Sequence, residues 1–275
     1  MTLSTIRNNP AKQKKVKTKK QKAIAATCAV AFWLLVWHVV SLCVGSELVL
    51  VSPVKGVQTL FTVIFDPDFL KTVWYSAARI LGGFFTALTL GTVLGWVASR
   101  FWVVETLLRP ITAVIKATPV ASFIILVLLW FSGKNLSVII SMLMVFPVIY
   151  MNVLEGIRSA DKKLLEMAQV FRLSVGKKLL YIYLPAVAPF FVSACSVSLG
   201  LCWKSGIAAE VIGTPDGSIG AVFYQAKIFL QTSELLAWTV VVVAVSVAFE
   251  KLFMFLLRLV LKKLKMEDVL NGKRA

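Results

Sequence analysis

Among the ionisable side chains within or at the ends of long apolar runs, Arg79, Lys116, Lys204 and Glu210 are the notable ones. Charges at such places are costly in hydrocarbon, so they either serve an ion or solute path or reach along their stems to the nearest polar surface. Little else in the chain suggests catalysis. His38 is the one histidine, and the four cysteines (Cys28, Cys43, Cys195, Cys202) all lie in apolar runs without a CxxC pair. Metal sites need clustered donors, so none is expected, and His38 reads as an interhelical hydrogen-bonding residue. The Gly-Lys pairs at Gly133, Gly176 and Gly272 lack the upstream glycine of a GxxxxGK[ST] loop, so the chain has no such cradle for a nucleotide phosphate.

The elements that must position these charges follow from composition. The chain has 275 residues, 59% hydrophobic and 16% charged, with a mean hydropathy of +0.84, which excludes an ordinary soluble domain. Six runs reach the roughly 20 apolar residues that a bilayer span requires: 23–45, 74–98, 107–131, 136–154, 184–207 and 235–257. The expected fold is all-α, a polytopic membrane protein with six transmembrane helices. The first run is longer than the apolar core of a signal peptide and has no small-x-small cleavage pattern before a soluble domain, so it is expected to be retained.

A net charge of +17 on so apolar a chain points to cations sorted around membrane spans, not to nucleic-acid binding. The sorting is visible. Twenty-two lysines and arginines fall in the N-terminal arm, around Arg100 and Arg109, between Arg158 and Lys178, and from Arg258 onward; the alternate connections receive Lys55, Lys71, Lys134 and Lys227. Positively charged loops stay inside, so both termini are expected in the cytoplasm. The division is a basic cytoplasmic arm at 1–22, a transmembrane domain at 23–261 and a cytoplasmic tail at 262–275. The lysine-rich stretch 12–22 reads as an anchor for anionic lipid. In the connection 46–73, the apolar stretch 57–65 reads as a short helix along the outer interface.

The inward connection 158–178 carries the most pattern. Ser159 and Asp161 offer helix caps, and Leu164, Leu165, Ala168, Val170 and Phe171 form an apolar stripe beside Lys162, Lys163 and Glu166. A short amphipathic helix is expected, docked in a groove of another protein or resting on headgroups. Glu166-Met167-Ala168, then Arg172, then Ile182-Tyr183-Leu184-Pro185 resembles the cytoplasmic signature of permease subunits of ATP-binding-cassette importers, Glu-Ala-Ala, three residues, Gly, nine residues, Ile-x-Leu-Pro. The spacing is complete, with Met167 in place of an alanine and Arg172 in place of the turn glycine. Ser76 to Gly83, Arg109-Pro110, Thr118-Pro119, Trp130-Phe131, Phe146-Pro147 and Trp203 to Gly213 are similar to the nitrate, sulfonate and taurine branch of that family.

The resemblance implies a type I importer permease: a homodimeric pore subunit with no catalytic site of its own. It implies two cytoplasmic ATPase subunits, which hold ATP and Mg, and an external solute-binding protein. It carries the ATPase-coupling role onto Asp161, Leu165, Glu166, Ala168, Phe171, Arg172 and Gly176, with the bend supplied at Gly176 or by local adjustment. Arg79 and Lys204, toward the outer face, either admit a small anion such as nitrate, a sulfonate, taurine or bicarbonate, or snorkel outward; Lys204 pairs with Glu210 if the chain bends at Gly206. Gly91 and Gly95 pack helices within one subunit or across a dimer seam. Pro119, Pro147, Pro185 and Pro189 permit kinks in gating helices. The alternative is an ion-coupled secondary transporter, which calls for internal repeats and intramembrane carboxylates that are not evident.

Overall fold

A computed structural model describes residues 19–264. Residues 1–18 and 265–275 lie outside the described residues, and with them most of the stretch 12–22 read as a lipid anchor, of which 19–22 open the first helix. The chain forms α1 (Lys19–Val44), α2 (Pro53–Ile64), α3 (Phe69–Arg100), α4 (Trp102–Ala117), α5 (Val120–Leu128), α6 (Gly133–Arg158), α7 (Lys162–Val170), α8 (Val175–Lys178), a π-helical turn (Leu179–Tyr183), α9 (Leu184–Gly213), α10 (Ile219–Ile228) and α11 (Thr232–Lys263). Among the described residues there is no strand.

Helices α1, α3, α6, α9 and α11 are long and apolar enough to span a bilayer. The apolar run at 107–131 is not one straight helix: α4 and α5 meet at 105°. Thr118 (ψ 132°) and Pro119 (ψ 136°) are both extended at the break. Proline disfavours helical geometry in the residue before it and lacks the N–H that would continue the ladder, so hydropathy sees one run where the backbone makes two. Pro147 and Pro189, by contrast, sit inside unbroken helices. The connection after Ser52 forms α2, which begins four residues before the expected 57–65 stretch: Ser52 accepts from the Lys55 N–H and Pro53 takes the first helical position.

The helix ends fall into two groups. At one end Arg158 bonds Glu105, Trp96 meets Tyr183 at 5.5 Å, and Leu257 and Leu261 pack near Leu184 and Ala188. At the other, Phe69 meets Trp238 at 5.6 Å, and the Thr232 hydroxyl donates to the Leu48 carbonyl at 2.7 Å.

The centre of the bundle is α3 against α6 against α9. Ile80, Phe84 and Ala87 pack with Val145, Ile149 and Val153, and with Leu199, Cys202 and Trp203. Small residues set the distance. A Cβ at Gly91 would stand 2.9 Å from Ile149, and one at Gly95 would stand 3.0 Å from Val153, so both glycines face α6 of the same chain. The Ser141 hydroxyl donates to the Cys202 carbonyl at 3.1 Å and ties α6 to α9. Cys195 and Cys202 are buried in this packing, whereas Cys28 and Cys43 are exposed. His38 Nδ1 has no hydrogen-bond partner among the described residues, so the expected interhelical bond is not formed through that atom.

The contrast between two glycines of α3 tests this packing. A Cβ at Gly82 meets nothing within 4 Å, so Gly82→Ala should be neutral or mildly stabilising in thermal unfolding followed by size-exclusion chromatography. Gly91→Ala should instead cost roughly 1–3 kcal/mol through overpacking.

Candidate functional site

The segment 158–178 folds around one buried alanine. Asp161 caps α7, its carboxylate accepting from the Lys163 N–H at 2.8 Å, while Ser159 turns back to donate to the Gly156 carbonyl and closes α6 instead. Ala168 is fully buried with Ala160 and Ile182, and Leu165 and Leu173 pack against them. Glu166, Phe171 and Gly176 are exposed, and Met167 faces outward at 45% exposure. The larger side chain at 167 is therefore accommodated, whereas bulk at 168 would lift α7 off the bundle.

Arg172 makes the bend itself. Its φ is +46°, and the Leu173 N–H closes back onto the Ala168 carbonyl at 2.9 Å, a left-handed helix end of the kind that favours glycine. Gly176 lies in α8 without a positive φ, so it does not supply the turn. Beyond α8 the Leu184 N–H reaches Leu179, five residues back, instead of four. Pro185 follows at once, and the wider turn leaves room for a ring that cannot donate.

The intramembrane charges separate into two groups. Glu210 is fully buried; it accepts from the Ser76 hydroxyl at 2.6 Å and from the Gly220 N–H at 3.4 Å, while Ser76 accepts from the Ile219 N–H at 2.9 Å. This joins α3 and α9 to the first turn of α10, where unpaired N–H groups favour a carboxylate. Arg79 lies over the Tyr75 ring at 4.1 Å and within electrostatic reach of Glu210, so it is half-buried in this cluster. Lys204 is exposed on an unbroken α9 and makes no pair with Glu210; the bend at Gly206 that would bring them together is absent. Lys116 is exposed on α4, its ammonium 3.5 Å from Met151 Sδ.

Sequence reasoning missed Ser76 as the partner of Glu210, and it missed the Glu105 carboxylate that binds both Arg158 and Arg109. A serine in an apolar run and an acid one turn before an arginine were visible, but their partners are 134 and 53 residues away.

The profile of the family described as "Binding-protein-dependent transport system inner membrane component" matches residues 87–266, which includes the α7 segment and the whole α6–α9 core. The chain belongs to that family of permeases. SsuC of Bacillus subtilis (strain 168), a permease protein named for aliphatic sulfonates, is 29% identical over 78% of each chain. The taurine transport system permease protein TauC of Escherichia coli (strain K12) is 26% identical over 78% of this chain and 80% of its own. The nitrate import permease protein NrtB of Synechocystis sp. is 25% identical over 74% and 76%. Among solved structures, one titled as an amino acid ABC transporter with histidines has a TM-score of 0.50 at 16% identity, over 70% of this chain and 96% of its own, and shares the fold. The permease is thus a multi-pass protein of the cell membrane, and its family transports solutes instead of transforming them.

Two substitutions test the local geometry. Arg172→Gly should keep or raise thermal stability, because a left-handed residue other than glycine costs roughly 1–2 kcal/mol; a lowered midpoint would show that the arginine side chain holds the turn. Glu210→Ala leaves the Ser76 hydroxyl and the Gly220 N–H without their acceptor and should cost about 1–3 kcal/mol, with Glu210→Gln milder because it keeps an acceptor oxygen.

Proposed function

We propose that the permease is the membrane-spanning subunit of an ATP-driven importer, that it works as a homodimer with two cytoplasmic ATPase subunits holding ATP and Mg, and that an external binding protein delivers a small anion to it. The observation that carries this reading is the unpartnered face of the coupling segment. Val170, Phe171 and Val175 are 79%, 70% and 81% exposed around the free carboxylate of Glu166, at the end of the bundle that the charge bias assigns to the cytoplasm. Apolar side chains clustered about a charge outside the spans suit a groove on a protein partner. Asp161, Leu165 and Ala168 root the helix, Arg172 and Gly176 shape its far side, and Glu166 and Phe171 meet the ATPase.

The anionic substrate class is supported by the sulfonate, taurine and nitrate names of the relatives, together with Lys116 and Lys204 exposed along the spans without a carboxylate partner. Arg79, stacked over the Tyr75 ring of its own helix, is the further cation at the outer part of α3 beside that path.

The test is co-purification of the permease with its ATPase and uptake in vesicles. Glu166 has no partner within the chain, so Glu166→Lys should leave insertion and thermal stability unchanged while uptake falls by roughly tenfold or more, with the ATPase lost or its hydrolysis uncoupled. Undiminished uptake with unchanged ATPase stimulation, or uptake driven by an ion gradient without any ATPase, would overturn the reading.

A further inference from the structure

Where α4 meets α6, next to the coupling segment, a cleft of about 150 Å³ opens between Glu105, Arg109 and Thr112 on one side and Tyr150, Met151 and Arg158 on the other, with Glu155 also at its wall. A second hollow of about 410 Å³ shares Arg109, Thr112 and Met151 and extends the cleft along α4 to Lys116. Arg109 and Lys116 are two turns apart on one helix, so the pair of hollows forms a track from the level of Lys116 to the cytoplasmic end of α6.

The groups along it are mostly donors. The Glu105 carboxylate is shared between Arg158 and Arg109, at 3.4 Å from the latter, and Glu155 adds a second carboxylate at the wall, so the two guanidiniums are matched by two acids and Lys116 supplies the excess positive charge along the track. The side chain of Arg109 is 78% exposed and has donors to spare. Lys116 meets only the weakly accepting Met151 sulfur. Tyr150 is 2% exposed, its ring is stacked on Phe146 at 5.8 Å, and its buried hydroxyl has no hydrogen-bond partner among the described residues. The phenol lines the cleft with Glu105, Arg109 and Arg158 and has a donor to offer, and buried hydroxyls without a partner are uncommon in folded proteins. Glu105 is held by its arginines, and Arg109, Arg158 and Lys116 together outnumber the two carboxylates of the track, which disfavours a cation there. A small oxyanion supplies acceptors for the phenol and for the free guanidinium N–H groups at once.

We propose that this cleft is a binding site for a small monovalent oxyanion near the cytoplasmic mouth, with Tyr150 and Arg109 as its donors and Lys116 as the cation that leads into it from the bilayer interior. The inference rests on the importer reading and names the chemistry of the exit end of its path. Thr112 takes no part, because its hydroxyl already donates to the Leu108 and Arg109 carbonyls.

The test uses the permease assembled with its ATPase subunits in lipid nanodiscs, without binding protein, titrated calorimetrically with methanesulfonate and with nitrate. Dimethyl sulfone, the neutral isostere of methanesulfonate, is the control for charge. Binding of at least one anion is expected, weakened tenfold or more by Tyr150→Phe and by Arg109→Gln and unchanged by Lys55→Gln at the opposite end of the bundle. Tyr150→Phe removes no internal hydrogen bond, so a purely packing role predicts unaltered anion affinity. Equal affinity in both variants, equal binding of dimethyl sulfone, or no binding of either anion would overturn the proposal. If the ATPase fails to assemble with the chain, the importer reading falls; if assembly and coupled hydrolysis are intact while the titrations fail, the cleft assignment alone falls.

Discussion

Lipid solvates a leucine as well as a neighbouring helix does, so α3, α6 and α9 are held by contact distance and by the few polar bonds between them, not by escape from water. Everything else in the permease hangs on that close approach. Gly91 and Gly95 bring the α3 backbone against Ile149, Tyr150 and Val153, and Gly206 admits Ile80 and Ser141 to the surface of α9. Where the helices touch, the Ser141 to Cys202 and Ser76 to Glu210 bonds tie them in register. The result is a three-helix block with little room for sliding, because interiors packed to this density have discrete arrangements and do not deform continuously.

Around the block are three attachments with irregular backbone: the α4–α5 pair broken at Thr118-Pro119, the α7–α8 segment between Arg172 and the π turn, and α10 entered through Thr214 in a left-handed conformation. Non-helical backbone at membrane depth survives only where protein or a cavity covers it, and the α4–α5 break is backed by Ile115, Ile124 and Val127 packed on α6. Packed blocks rearrange as units, so strain is taken up where packing is discontinuous, at these irregular joints. The Glu105 to Arg158 ion pair joins one of these attachments to the block, fastening the start of α4 to the last residue of α6, from which the chain turns into α7.

The two departures from the family signature have local explanations. Met167 replaces an alanine on the exposed side of α7, where the additional atoms meet no neighbour that must move. Arg172 replaces a glycine at a positive φ, where an L residue is strained but allowed. Ala168 and Pro185 are kept, the first where there is no space beside Ala160 and Ile182, the second where the helix has already widened to receive it.

The helical class, the apolar runs and the short amphipathic helix α7 were all legible in the chain, because each depends on composition or on spacing within one segment. Hydropathy is additive along a run, and a capping aspartate acts within three residues. The 105° break inside 107–131, the left-handed Arg172 and the unbroken helix through Gly206 depend on how competing local preferences resolve against neighbours, and only the folded chain decides them. The same holds for the charges. Arg79, Lys204 and Glu210 look alike in sequence as ions in apolar runs, but Glu210 is buried and bonded to Ser76 while Lys204 stays exposed, because which face of a helix meets another helix is set by tertiary packing. Tyr150 and Glu105 gain their surroundings in the same way, from the antiparallel pairing of α4 with α6, which no periodicity in either helix states.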